Sequence, residues 1–461
     1  MSIPEIEALV ARARDAQAAY ETNGSQARYD RAAQAAAWAI MEPARNRELA
    51  ELAVATTGLG NVPDKITKNH RKTLGLMRDI KEAQTFGVIS DDPATGITEI
   101  ARAKGVVGAI VPSTNPAATP ANNIINALKC GNAIIVAPSP KGVACAERLL
   151  SFIHAEFAKI GEDPALVQMI PAPGSKEKTQ ALMEHCDMIV ATGSQNNVHR
   201  AQTAGTPAVA VGAGNVTVIV DETADLADAA EKIQASKCFD NATSCSSENA
   251  VVVVDAVFDA FVSAMAQAGG ALVDDEASIV AKLWPDGHLN RAVIAQDADK
   301  MIDALGLDLP KGTEYIAVPT SGIGPEHPLS GEKLSRVLAM YRAANFDEAV
   351  ALTRRIQLHQ GAGHSVGLHT AETDRPMILA NAIPTSRVIV NQAHTFATGG
   401  SFTNGMPFSL SMGCGTWGGN SVNDNVNYRH FLQSTKIVRE IPSTEPALED
   451  IFAPYWADAG K

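Results

Sequence analysis

Between residues 106 and 220 the chain repeats one unit: a short aliphatic run, a turn of small or polar residues, and in most intervals a helical stretch. The runs are 106–111, 133–136, 167–170, 188–190, 208–211 and 216–220, with helical patterns over 121–130 and 142–160. They are rich in Val and Ile and apolar on both faces, so each must be a strand covered from two sides. Strands alternating with helices close into a doubly wound, mainly parallel α/β sheet. Ligands of such sheets gather beyond the carboxyl ends of the strands, which places a cofactor site near residues 111–215.

At 461 residues the chain exceeds what one core organises, and its 46% hydrophobic but only 5% aromatic content suits strands buried under helices. Helices are expected from Ile3 to about Thr57, then a basic helical stretch over 65–81 and a hairpin in 86–104 around the turn at 91–96. A second α/β unit begins near Cys238, with a strand at 250–254, helices at 257–267 and 333–338, and further runs at 365–368 and 388–390. The tail 435–441 reads as an edge strand that pairs with the early hairpin or with another subunit.

A formal charge of −13 without a Lys/Arg cluster argues against a nucleic-acid partner. The start of the chain lacks a basic or apolar leader and no stretch is apolar enough for a membrane span, so a cytoplasmic protein is expected. Six cysteines, without C-x-x-C or Cys/His spacing, point to reduced thiols and to no metal. One of them stands apart. In 239–249 (FDNATSCSSEN) Cys245 lies among small, polar, turn-forming residues, the setting of a nucleophile that needs access and nearby backbone N–H groups. Cys238 reads as core.

Several strand ends carry small or polar residues: 111–116 (VPSTNP), 137–142 (APSPKG) and 191–194 (ATGS). Each alone is as well explained by a capped turn as by a ligand site. No G-x-G-x-x-G occurs in this region, so a dinucleotide must be held without the usual glycine fingerprint.

Taken in order, these segments together with 211–216 (VGAGNV), Cys245, 328–334 (PLSGEKL), 361–365 (GAGHS) and 413–421 (GCGTWGGNS) resemble the coenzyme A-acylating branch of the aldehyde dehydrogenase superfamily over nearly the whole chain. The resemblance implies an aldehyde dehydrogenase fold: a Rossmann-like cofactor domain over 1–238, an α/β catalytic domain over 239–420, and a C-terminal return over 421–461 whose strand joins the hairpin in a homodimer or homotetramer. It makes Cys245 the nucleophile, and the Asn115 amide with the Cys245 N–H the oxyanion hole. Ser113, Pro138, Ser139, Lys141, Gly193, Ser194 and Gly212 would follow the cofactor, and Glu332 would bind the nicotinamide ribose. Pro140 and Lys141, where NAD-preferring relatives often carry an acid, lean toward NADP over NAD. Arg336 replaces a proline common in relatives, and Val198 a later glycine.

One departure carries mechanism. Hydrolysing aldehyde dehydrogenases place a glutamate base where this chain has Val211, which cannot deprotonate water. A thioester on Cys245 would then wait for coenzyme A as co-substrate, a better nucleophile than water. The substrate region supplies Thr119, Asn123, Ser244, Ser246, Asn391 and His394, a polar set suited to a small anionic aldehyde. The loop 391–408 resembles that of acylating sulfoacetaldehyde dehydrogenases, with succinate semialdehyde as the nearest rival substrate and a catalytically silent scaffold as the remaining alternative. His364 reads equally as a cofactor contact or a structural histidine, and Glu248 as a helix-start carboxylate.

Overall fold

The structure, a computed structural model, describes residues 3–460; Met1, Ser2 and Lys461, at the ends of the chain, lie outside the described residues. Four helices come first: α1 (Pro4–Thr22), α2 (Gln26–Met41), α3 (Pro43–Thr57) and α4 (Val62–Ile80). Ser25 and Asn61 cap α2 and α4 by accepting from backbone N–H groups of the first turn. The hairpin follows as β1 (Val88–Asp92) and β2 (Ile97–Ala103).

A five-stranded parallel sheet is built from β3 (Val106–Val111), β4 (Ala133–Pro138), β5 (Val167–Met169), β6 (Met188–Thr192) and β7 (Ala208–Val211) in the order β5-β4-β3-β6-β7. Its crossovers include α5 (Ala118–Lys129) and α6 (Val143–Ile160), and α1 to α3 pack into the same core. The chain leaves β3 to one side for β4 and returns to its other side for β6, so the ends of β3 and β6 frame the topological switch point.

A seven-stranded parallel sheet takes β8 (Val216–Val220), β9 (Glu248–Val254), β10 (Gly270–Leu272), β11 (Tyr315–Pro319), β12 (Val337–Ala343), β13 (Val366–His369) and β14 (Val388–Val390), in the order β10-β11-β12-β9-β8-β13-β14. The change of sheet therefore falls at residues 212–215, not at 238 as expected. Two apolar clusters, one on each face, bury this sheet. The helix expected over 333–338 is absent: Leu334 takes φ +43 and the chain runs on as β12. Last, β15 (Leu432–Val438) pairs antiparallel with β2 from Leu432 against Ala103 to Val438 against Ile97, completing a three-stranded sheet.

The linker 212–215 is short, and it brings the carboxyl edge of the first sheet against the amino edge of the second. Cys245, Glu332 and His364 all lie just before strands, ahead of β9, β12 and β13 respectively. The site is thus built where one sheet ends and the other begins.

Candidate active site

Cys245 is half-exposed, whereas the five other cysteines are buried and all six are free thiols. The turn before it is unusual: Asp240, Asn241 and Ala242 have φ of 48°, 54° and 61°, three successive non-glycine residues in the left-handed region. Each such residue costs about 1–2 kcal/mol, least for Asp and Asn, so the surroundings must impose the turn. They do so with charge. The buried Asp240 carboxylate takes Lys65 Nζ at 3.0 Å, Lys68 Nζ at 2.5 Å, Thr243 Oγ1 at 2.8 Å and the Asn61 N–H at 3.1 Å. Its own N–H donates to Asp64 at 2.8 Å. Arg336 donates twice to Asn241 Oδ1, at 3.1 and 2.7 Å, which gives that arginine a structural purpose beside the nucleophile. From the other side Gly214 packs on the cysteine backbone: a Cβ there would lie 2.1 Å from the Cys245 carbonyl oxygen.

The thiol pKa is pushed up to about 12, first by burial and then by the nearby Glu332, against the pull of Arg387 and Lys72. At neutral pH it is a thiol. His364 Nε2 stands 3.4 Å from Sγ, its Nδ1 is 2.7 Å from Ser365 Oγ, and that hydroxyl is 2.9 Å from His394 Nε2. Burial, then Arg387, brings the His364 pKa down to about 3, so its imidazole is neutral and able to accept a proton. Arg387 itself is buried and saturated, binding the carbonyls of His364, Gly413 and Asn423 and the Asn425 amide, and so it fixes the loop carrying His364. Gly363, at φ +81, lets that loop meet the Cys414 carbonyl, which a Cβ would approach to 1.8 Å.

Asn115 is oriented as an oxyanion donor must be. Lys68 Nζ donates to its Oδ1 at 3.0 Å, and an ammonium can meet only the amide oxygen. Nδ2 keeps one long contact, 3.5 Å to Thr114 Oγ1, and is left for the cavity.

That cavity, about 380 Å³, brings together Cys245, Asn115, Thr119, Ser244 and Ser246 with Ser113, Gly193, Ser194, Gly212 and Glu332. A second cavity of about 510 Å³ shares Ser113, Gly193 and Ser194 and extends over Pro138 and Ser139 at the switch point. Ser139 Oγ is buried there without a partner, and Lys176 and Arg200 line the far side with no carboxylate among the lining residues. An elongated phosphorylated ligand fits this donor set. Val211 is buried in the first core, and Glu332 is the one carboxylate lining the Cys245 cavity.

Four expected residues lie elsewhere. Lys141 is exposed and reaches the Thr57 carbonyl at 3.4 Å, so Lys176 and Arg200 are the cations that face the second cavity. Asn123 is buried on α5 away from the opening. Asn391 is tied to Thr370 through both amide atoms and lines a separate cavity. His394, 1% exposed, sits behind Ser365 instead of facing substrate. Glu248 begins a strand, not a helix, and its buried carboxylate accepts from Ser236 Oγ at 2.6 Å.

Residues that sequence reasoning missed come chiefly from α4. Lys65, Lys68, Arg71 and Lys72 recur at helical spacing and turn one basic face toward the site, the last three lining the Cys245 cavity.

The model of the aldehyde dehydrogenase family matches residues 2–280. Sulfoacetaldehyde dehydrogenase (acylating) of Cupriavidus necator is 55% identical over 460 residues, covering 99% of this chain and 93% of its own. The crystal structure of an acetylating aldehyde dehydrogenase from Geobacillus thermoglucosidasius superposes with a TM-score of 0.91 at 30% identity, over 96% of this chain and 98% of the other. Rhodopseudomonas palustris propionaldehyde dehydrogenase with bound propionyl-CoA superposes with a TM-score of 0.83 at 25% identity, over 94% of both chains.

Proposed function

Because the chain belongs to the aldehyde dehydrogenase family, we propose that it oxidises sulfoacetaldehyde to sulfoacetyl-CoA through a thioester on Cys245, with NADP or NAD as acceptor. The observation that carries this reading is the pairing of Cys245 Sγ with the neutral His364 at 3.4 Å in a cavity whose single carboxylate is Glu332.

To accept the thiol proton, His364 Nε2 must be bare; Nδ1–H then donates to Ser365 Oγ, and the serine hydroxyl donates to His394 Nε2. Cys245 attacks the aldehyde carbon, and the developing oxyanion meets Asn115 Nδ2 and the Cys245 N–H. Bound nicotinamide accepts the hydride and leaves an acyl thioester on Cys245. Ser113, Ser139, Gly193 and Ser194 are assigned to the dinucleotide, Glu332 to its ribose, and Lys176 with Arg200 to a 2′-phosphate, which favours NADP. The thioester passes to the thiol of coenzyme A, consistent with the acylating name of the Cupriavidus necator relative.

Ile437 and Val438 of β15 and Leu448, Ile451, Phe452 and Tyr455 of the last helix are exposed, which supports a homodimer or homotetramer joined through the three-stranded sheet and tail. No described helix is long and apolar enough to cross a membrane; we assign the enzyme to the cytoplasm.

The test uses purified protein, sulfoacetaldehyde, and each nicotinamide cofactor in turn, with and without coenzyme A. Reduction beyond one equivalent per site should require coenzyme A and yield the acyl-CoA. Sustained reduction without it would reassign Glu332 as a water-activating base and retire the acylating reading.

A further inference from the structure

One cation on the basic face of α4 has no partner. Lys65 binds Asp240 and the Thr114 carbonyl; Lys68 binds Asp240, Asn115 and Thr243; Lys72 binds the carbonyls of Gly399 and Ser409 at 2.6 and 3.0 Å. Arg71, between them, makes no hydrogen bond or ion pair with any described residue. Its guanidinium lies 4.7 Å from the centroid of the Phe396 ring, half-buried, lining the same cavity as Cys245. Two threonine hydroxyls in that lining, Thr119 Oγ1 and Thr395 Oγ1, are buried and also unpartnered.

A guanidinium offers five donors in a planar fork matched to oxyanions, and a partly desolvated charge left unpaired is unfavourable unless a ligand completes it. The aromatic face beneath it fixes its plane without using any donor. Hydroxyls waiting in the same wall supply single donors for the remaining oxygens.

We propose that Arg71, seated on Phe396 and helped by Thr119 and Thr395, is the anion anchor of the substrate cavity, holding the sulfonate or carboxylate of the aldehyde while Cys245 takes its carbonyl end. This rests on the anionic-aldehyde reading above, and it names a residue that the loop resemblance does not.

Two measurements on wild type, Arg71→Met and Arg71→Lys separate the two readings. The first is the ratio of kcat/KM for sulfoacetaldehyde over acetaldehyde in the full coenzyme A-dependent assay. The Met variant should lose about 10- to 100-fold in this ratio, the worth of a charge-assisted hydrogen-bonded contact, mainly through KM; the Lys variant should recover part of it. The second needs no turnover: alkylation of Cys245 by 2-bromoethanesulfonate relative to iodoacetamide. The thiolate displaces bromide from the carbon that corresponds to the aldehyde carbon, forming a C–S bond, and the sulfonate occupies its site. Wild type should favour the sulfonate reagent, and Arg71→Met should lower the preference at least about 10-fold. An alkylation ratio equal in wild type and Arg71→Met overturns the proposal. If wild type turns over sulfoacetaldehyde no better than acetaldehyde while alkylation still depends on Arg71, the anchor stands and the substrate assignment falls.

Discussion

Lys68 and Asn115 form a pair in which one residue orients and the other reacts, and their coupling can be sized. Asn115→Ala removes an oxyanion donor, a loss of about 10²–10³ in kcat, or roughly 3–4 kcal/mol of transition-state stabilisation. Its effect on folding should be small, about 1 kcal/mol or less, because Lys68 keeps Asp240 and Thr243 as acceptors when the amide goes. Lys68→Met is different. It strips the buried Asp240 of one of two ammonium partners, and breaking a buried pair costs about 3–5 kcal/mol; Lys65, still at 3.0 Å, holds the loss to the lower end. It also frees the Asn115 amide to flip, so kcat falls as well. If Lys68 acts on catalysis through Asn115, the double variant should have nearly the kcat of Asn115→Ala alone. Saturating coenzyme A-dependent nicotinamide reduction gives the kcat values and thermal unfolding gives the stabilities. Multiplicative losses in the double variant, or an Asn115→Ala enzyme keeping more than a tenth of wild-type kcat, would refute this assignment of the oxyanion hole.

Gly214→Ala should be severe although the residue touches no substrate, because its Cβ would stand 2.1 Å from a backbone oxygen that cannot rotate away. We expect about 1–3 kcal/mol of destabilisation and a displaced Cys245, read as slower alkylation by iodoacetamide; wild-type alkylation would dismiss the contact. Glu248→Gln tests a buried acid. Burial raises the Glu248 pKa to about 7, opposed by the Ser236 hydrogen bond. A folded pKa above the unfolded value means the native state holds the proton more tightly, so this contribution is fully present below about pH 4 and is lost as pH rises through 7. The loss amounts to roughly 3 kcal/mol at most. Glutamine mimics the protonated acid, so the variant should gain on wild type between pH 5 and 8 in denaturant unfolding; a difference constant over that range would sink the assignment.

The strands were legible because Val and Ile runs have few other uses, and the recurrence of small residues at their ends marked the switch point. Cys245 was legible because its neighbours are polar. What failed failed for physical reasons. Leu334, Val337 and Leu338 have helical spacing, yet Leu334 takes a left-handed conformation and the last two begin a strand, since short apolar runs do not fix a period. His394 and Asn391 were grouped with substrate because loop residues near a site are usually exposed; here His394 is spent on Ser365 and Asn391 on Thr370. The larger omission was α4. Its lysines looked like a solvated helix face in a chain of net charge −13, and nothing local tells a buried cation from an exposed one. Only its tertiary partners, Asp240 before the nucleophile above all, show why Lys65 and Lys68 are there.

The weakness of His364 as a base bears on why a thiol, not water, should release the acyl group. An imidazole whose conjugate acid has a pKa of about 3 is a reluctant proton acceptor. Taking a proton from an ordinary thiol, pKa near 8.5, is uphill by roughly 5 units, whereas taking one from water at 15.7 is uphill by roughly 13. The difference of about 7 units corresponds to roughly 10 kcal/mol if transfer were complete, and to a smaller but still decisive margin for partial transfer in a transition state. Placing Val211 in the core where hydrolysing relatives carry glutamate removes the strong base; burying His364 beside Arg387 keeps the remaining one weak. Selectivity for the thiol then needs no barrier to water entry, because water that does enter meets no side chain strong enough to activate it.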